Sequence, residues 1–159
     1  MTQEEKLLLI KDLCTRQPYG VKIQCLFKLD EIYTLNYVDL DSLSMNFSFS
    51  KRKESNLEFS GVDKLIFRGK LRYKPYLRPL SSMTDEELDE FRIKFFEFDT
   101  VELMKKNNSN YAFIDLWLDE YPLYSIVDAI DWLLKHHFDI RDLIEKGLAL
   151  EAPKGMYRK

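Results

Sequence analysis

The chain has 159 residues, a formal net charge of −3 and a hydrophobic fraction of 45%. That length fits one domain, and the apolar content excludes an intrinsically disordered chain, because such chains lack the apolar surface that offsets the entropy of ordering. The weakly acidic balance provides no global field that would attract nucleic acid or an anionic membrane. We therefore expect a single domain over residues 1–159.

The first residues predict a helix and no export signal. Glu4 and Glu5 stand where a signal peptide would be basic, and the apolar run Leu7–Ile10 is too short for one. Thr2 and Glu5 have the spacing of a capping box, in which each side chain accepts a hydrogen bond from the other residue's backbone amide. No apolar run approaches the roughly 20 residues that span a bilayer, so we expect a cytoplasmic protein without membrane contact.

An antiparallel meander is predicted to follow this helix. Alternation of apolar and polar side chains, or enrichment in β-formers, marks five short segments. The predicted strands are residues 21–25, 32–38, 43–50, 57–59 and 64–67. Polar residues 51–56 predict a hairpin loop, and the alternation in 21–25 predicts a strand with one solvated face. Short connections favour antiparallel pairing, since a parallel crossover needs a dozen or more residues. Residues 1–74 are thus expected to be a helix plus a β-meander.

The composition changes after this meander. Pro75 and Pro79 predict an extended connector over residues 75–84, because proline restricts its own backbone and that of the residue before it. Thr84 and Glu87 then repeat the capping-box spacing and predict the start of a second helix.

The C-terminal half is predicted to be mostly helical, over residues 85–150. Apolar residues recur with helical period in 126–134, and Asp139 and Gly147 are placed to begin and end a last short helix. Residues 151–159 are expected to form a surface arm. The predicted fold class is α+β, with an antiparallel sheet of four to five strands packed against helices.

The two histidines of the chain, His136 and His137, are adjacent near a predicted helix end. Adjacent residues on a helix point about 100° apart, so this pair does not converge on one ion as an i, i+4 pair would. Imidazoles at that position favour capping carbonyl groups at the negative end of the helix dipole. Asp139 and Asp142 follow closely. We predict no metal here and retain His136, His137 and Asp139 as candidate ligand-binding residues.

Signatures of catalysis are weak in this sequence. The chain has no Gly-x-Ser-x-Gly nucleophile elbow, and neither Cys14 nor Cys25 has neighbours that activate a thiolate. Its five glycines are scattered, so no Gly-rich loop can bring backbone amides around a phosphate. We therefore expect no cofactor, assign no catalytic residue and favour a non-enzymatic role.

Residues 64–78 contain cations and aromatic rings but no acid. Cations that neutralise phosphates, beside rings that stack on bases, are typical of single-strand nucleic-acid recognition, and they equally suit a nucleotide or an acidic protein. An edge strand protected from aggregation by its charges is the interpretation without a binding role, and charge and composition alone favour it for this segment. We favour an anionic partner over nucleic acid itself. The candidate contact residues are Arg72, Tyr73, Lys74, Tyr76 and Arg78.

Two stretches, KPYLRPLSSMT at residues 74–84 and DWLLKHHFDIRDLIEKGLAL at residues 131–150, together resemble a family of small proteins from bacteriophages and mobile elements of gut Bacteroidetes. The resemblance covers about half of the chain. It implies a setting, the cytoplasm of a bacterial host and a dispensable accessory gene, and it carries no functional residue over to this chain. Phage accessory proteins of this size often bind a host component or sequester a signalling molecule.

Three functions follow as hypotheses. The preferred one is a non-enzymatic phage or mobile-element accessory protein that binds a host or phage component. The first alternative is a protein that binds, sequesters or cleaves a nucleotide or another small anionic ligand. The second is a structural or assembly protein that acts as a homo-oligomer, although the sequence leaves the oligomeric state open.

Overall fold

Three α-helices and eight β-strands occur in the part of the chain that this computed structural model describes, residues 1–27, 32–39, 44–49, 59–67, 70–95 and 123–157. The helices are α1 (Gln3–Arg16), α2 (Asp85–Phe95) and α3 (Leu123–Lys135). The strands are β1 (Lys22–Cys25), β2 (Ile32–Asp39), β3 (Ser44–Phe49), β4 (Phe59–Lys64), β5 (Ile66–Phe67), β6 (Lys70–Leu71), β7 (Tyr73–Leu77) and β8 (Leu150–Glu151). Short 3₁₀ helices cover Gln17–Tyr19 and Leu80–Ser82.

One sheet contains six of these strands, in the order β4-β3-β2-β1-β7-β8. Every pairing is antiparallel except that between β7 and the two-residue β8, which is parallel. The predicted α+β class is confirmed, and β8 adds a parallel strand that the sequence did not predict. The predicted loop over residues 51–56 lies outside the described residues.

Both predicted capping boxes are present. Thr2 Oγ1 accepts from the Glu5 amide at 3.1 Å, and Glu5 Oε2 accepts from the Thr2 amide at 2.6 Å. Thr84 and Glu87 make the same reciprocal pair, at 3.2 and 2.9 Å. Gly20 follows the first 3₁₀ turn with a φ of 64°, a conformation that costs glycine little and turns the chain towards β1.

The core has two parts. In the first, α1 lies against one face of the sheet, where Leu9 and Leu13 of α1 and Ile23, Leu35 and Leu77 of the strands are at most 1% exposed. The second part joins α2 and α3 to the segment after β7. Its largest buried side chains are Phe91, Trp132, Leu133 and Phe138.

A buried ionic network joins α1 to the segment after α3. Asp12 and Arg16 are both fully buried, and the Arg16 guanidinium donates to the two Asp12 oxygens at 2.7 and 3.1 Å. Arg141 donates to Asp12 Oδ1 at 2.6 Å. Arg16 also donates to the carbonyl oxygens of Phe138, at 2.7 Å, and Leu134, at 3.5 Å. Each buried charge therefore has several partners, which such groups require in a medium of low polarity.

Strand β1 differs from its prediction. The alternation in residues 21–25 predicted one solvated face, but Gln24 on that face is only 3% exposed. The neighbouring strands β2 and β7 flank β1 on both sides, and the Tyr76 hydroxyl donates to Gln24 Oε1 at 2.8 Å. Central placement in the sheet, which the local pattern does not encode, buries this polar side chain.

Two further predictions are wrong in detail. Residues 75–77 belong to β7 and pair with β1 and β8, so the predicted connector begins inside the sheet. Residues 139–147 form turns instead of a short helix. Asp139 nevertheless acts as a cap, because its carboxylate accepts from the amides of Arg141, Leu143 and Ile144 at 2.8–3.3 Å.

Within the described residues, no helix has the length and apolar character that crossing a bilayer requires.

Replacing Arg16 by Ala should lower the free energy of unfolding by about 3–5 kcal/mol, because Asp12 would lose the direct partner that shares its buried site. The control is Lys11→Ala, an exposed lysine on the same helix. Urea denaturation followed by circular dichroism measures both. If Arg16→Ala does not fold, Arg16→Lys should show an intermediate loss, since lysine keeps the charge but not the planar set of donors. A loss for Arg16→Ala no larger than that for Lys11→Ala would contradict the role of the network.

Candidate functional site

The predicted contact segment is divided between two faces of β7. Side chains alternate along the strand, so Tyr73, Pro75 and Leu77 point into the core, whereas Lys74 and Tyr76 are partly exposed on the other face. Cross-strand pairing places Gln24 beside Lys74. We name the surface formed by Lys22, Gln24, Arg72, Lys74 and Tyr76 the basic face.

Hydrogen bonds order two members of the basic face. Tyr76 donates to Gln24, and burial raises the pKa of the Tyr76 hydroxyl. Lys22 Nζ donates to Thr34 Oγ1 of β2 at 2.6 Å, and partial burial lowers the pKa of the Lys22 ammonium. These contacts hold both side chains against the sheet.

Arg72 and Lys74 complete the positive charge of this surface. The Arg72 guanidinium carbon lies 5.7 Å from the centroid of the Phe27 ring and 5.9 Å from the centroid of the Tyr73 ring. The Phe27 side chain is 66% exposed. Lys74 makes no ion pair within the described part of the chain. Neither β1 nor β7 contributes a carboxylate to this face.

Tyr73 and Arg78, which the sequence placed with this group, have structural contacts instead. The Tyr73 ring is 3% exposed and meets Tyr33 edge-on, with the centroids 6.1 Å apart, so it presents no surface to a partner. Arg78 binds both oxygens of Glu87 at 2.7 Å and lies 4.3 Å above the Phe138 ring. Burial alone would raise the pKa of the Glu87 carboxyl, but hydrogen bonds from Arg78 and Thr84 lower it overall.

The two histidines lie side by side at the end of α3. His136 Nδ1 donates to the Trp132 carbonyl at 2.9 Å, and its ring stacks on Trp132 at a centroid distance of 3.8 Å. The predicted capping of a helix carbonyl is therefore present. His137 adopts a φ of 61° and is 6% exposed. Both rings line one groove, bounded by the first 3₁₀ helix, the start of α2, the end of α3 and Tyr157.

His137 is held as a neutral imidazole. Burial lowers its pKa to about 3, and the nearby positive charge of Arg16 acts in the same direction. Its ring stacks on Tyr157 at 3.8 Å, and Nδ1 has no hydrogen-bond partner. An imidazole with so low a pKa is a weaker proton acceptor than an ordinary histidine side chain.

Tyr157 attaches the C-terminal arm to the sheet. Its hydroxyl accepts from the Lys22 amide at 2.9 Å and donates to the Tyr76 carbonyl at 2.8 Å. Lys22 lies next to Ile23 and Tyr76 next to Pro75, its pairing partner, so the Tyr157 hydroxyl bridges the two strands just beyond this pair. Burial raises the pKa of this phenol far above its usual range. The sequence predicted an arm here, and nothing local indicated this anchor.

Asp139, the third candidate of the histidine group, is separate from the groove. Its two oxygens accept backbone amides from the turn that follows it, so its carboxylate organises the chain and does not line the cavity. Among the described residues, no cluster of three or more His, Cys, Asp or Glu side chains could hold a metal ion.

Comparison with protein-family models, with curated proteins and with solved structures found no match to this chain. The basic face and the groove are the two surfaces of the described residues at which a partner or ligand could bind.

Replacing His137 by Asn should flatten the pH dependence of stability. The unfolded chain binds a proton at this imidazole below pH 6.5 while the folded chain does not, so stability is complete above pH 6.5 and falls as the pH drops towards 3. Between pH 7 and 5 the wild type should lose about 2 kcal/mol more than His137→Asn. Asn tolerates the positive φ. Urea denaturation at both pH values measures the free energy of unfolding of each protein. Equal losses between pH 7 and 5 would show that folding does not lower the pKa of His137.

Proposed function

We propose that this protein is a non-enzymatic accessory protein of a phage or mobile element, and that it acts in the bacterial cytoplasm by binding an acidic surface of a host or phage protein. The contact region is the basic face. The resemblance of residues 74–84 and 131–150 to phage and mobile-element proteins supports the setting, and the arrangement of charges on the sheet supports the mode of action.

One observation carries this proposal: cations share a sheet surface to which the central strands bring no carboxylate. Lys22 and Lys74 lie on the adjacent strands β1 and β7 with their side chains on the same face of the sheet, and like charges on one surface repel. A partner that offers carboxylates relieves this repulsion and gains charge-assisted hydrogen bonds. The exposed ring of Phe27, next to Arg72, adds apolar area to the same contact.

An acidic protein fits this surface better than nucleic acid does. The phosphate backbone extends its charge over a long path and would meet the rest of a chain whose net charge is −3. A few carboxylates on a protein segment contact the basic face alone. In addition, the Tyr73 ring is buried, so it is not available for base stacking.

The alternative of a small anionic ligand has support from one specific observation. His136 and His137, which the sequence singled out, line the same groove, although Asp139 does not. Homo-oligomeric assembly stays a prediction, since no described contact bears on it.

Reversing two charges of the basic face, Arg72→Glu together with Lys74→Glu, should weaken binding of an acidic probe by at least about ten-fold, because two charge-assisted contacts become repulsive. Fluorescence anisotropy of a labelled poly-glutamate peptide at low salt measures this. The matched control is Lys6→Glu with Lys11→Glu on α1, which changes the net charge equally.

Equal binding by wild type and the reversed variant would refute the basic face as the contact region. A labelled single-stranded oligonucleotide of similar charge serves as the comparison probe. If the protein binds the oligonucleotide more tightly than poly-glutamate, the partner of the basic face is a nucleic acid and not an acidic protein. The retained fold of each variant is checked by its urea midpoint.

A further inference from the structure

The groove beside the two histidines has the size of a small-molecule site. Its volume is about 830 Å³, which falls within the range of roughly 300–1,000 Å³ that ligand pockets occupy. Four separate segments of the chain form its walls, and none of the five residues of the basic face is among them. An occupant of the groove is therefore independent of the proposed contact at the basic face.

Four of the residues that line the groove carry flat rings, namely Tyr19, His136, His137 and Tyr157. The Tyr19 ring is oriented by a short hydrogen bond from its hydroxyl to Asp131, an interaction that raises the pKa of Tyr19 to about 12. The His136 ring is fixed from behind by its stack on Trp132 and by the bond to the Trp132 carbonyl. Rings that are already ordered lose little entropy when a planar ligand stacks on them.

Polar groups at the rim have capacity left for a ligand. Lys135 and Glu86 are exposed and make no ion pair within the described residues. Glu87 is bound through both oxygens to Arg78, so its charge is compensated and does not neutralise Lys135.

The histidine pair adds one further polar group, on His136. Because His136 Nδ1 donates to a carbonyl, which can only accept, the neutral ring has Nε2 as an acceptor. The His137 ring lines the groove while 94% buried and with Nδ1 unpartnered. Because this Nδ1 has almost no accessible surface, it offers no polar contact to an occupant of the groove.

We propose that this groove binds a nucleoside monophosphate, or a molecule with the same three features: a planar ring, an amino group on that ring and one anionic group. The ring stacks against the wall formed by Tyr19 and His136. Lys135 binds the anionic group, and the Glu86 carboxylate accepts from the amino group. This ligand class makes specific the alternative function, binding of a small anionic ligand, and the basic face does not contact the ligand.

Trp132 provides a direct reporter of occupancy. The chain has two tryptophans, so a Trp117→Phe background leaves Trp132, directly beneath His136, as the sole emitter. AMP is the probe, with excitation at the red edge of the indole band, where adenine does not absorb. Adenosine, without the phosphate, and IMP, without the amino group, test the two polar contacts. We expect saturable quenching by AMP and at least about ten-fold weaker binding of adenosine.

Lys135→Ala should weaken AMP binding by about ten-fold and leave adenosine binding unchanged, whereas Lys11→Ala should alter neither. Glu86→Gln should reduce the preference for AMP over IMP. If the Trp117→Phe background does not fold, the wild-type protein serves, because its two histidine ring signals can be followed by NMR and assigned with His136→Asn.

Several outcomes would overturn the proposal. They are the absence of any saturable change at the Trp132 or histidine signals with AMP, equal binding of AMP and adenosine, and equal binding by Lys135→Ala and Lys11→Ala. The charge-reversed basic-face variant separates this site from the proposed function. That variant should bind AMP as the wild type does even if it no longer binds poly-glutamate.

Discussion

The fold depends on one buried carboxylate between two guanidinium groups. Asp12 has no contact with water, and burying a lone carboxylate would cost several kcal/mol. Arg16 and Arg141 supply the opposing charge, and Arg16 uses its other donors on carbonyls at the end of α3, where the helix dipole is negative. Because Asp12 and Arg16 are both fully buried, neither can move without leaving the other buried with fewer partners, so the network holds α1 against the segment after α3.

The segment after α3 is bonded both to α1, through Arg16, and to the end of β7, through Arg78. The chain turns through a positive φ at His137, whose carbonyl accepts from the Arg78 amide at 2.8 Å, and the Asp139 amide returns a bond to the Arg78 carbonyl at 2.7 Å. The end of β7 is thereby attached to the end of α3. The same geometry sets the histidines into the groove wall, so the groove depends on the network although no member of the network lines it.

The basic face and the groove meet at a single side chain. Tyr157 touches the sheet through its hydroxyl, between Lys22 and Tyr76, and touches the groove through the face of its ring, against His137. The two surfaces differ in chemistry, because one carries cations on a sheet and the other carries oriented rings beside Lys135, which makes no ion pair with the residues that the structure describes. A partner at one and a small ligand at the other would share the C-terminal arm as a common support.

The sequence by itself determined what depends on near neighbours. Residue types three or four positions apart specify the two capping boxes and the helical periods, and residues two apart specify the strands, since backbone geometry sets those distances. It also identified the histidine pair. Tertiary structure alone decided which residues of the predicted contact segment are buried and which are exposed, because burial depends on strand order. Thus Tyr73 entered the core, Arg78 bound Glu87, and Lys74 stayed at the surface. Likewise, the bonds from Arg16 to α3 and from Tyr157 to the sheet join residues more than 80 positions apart, a separation over which no local pattern indicates a contact.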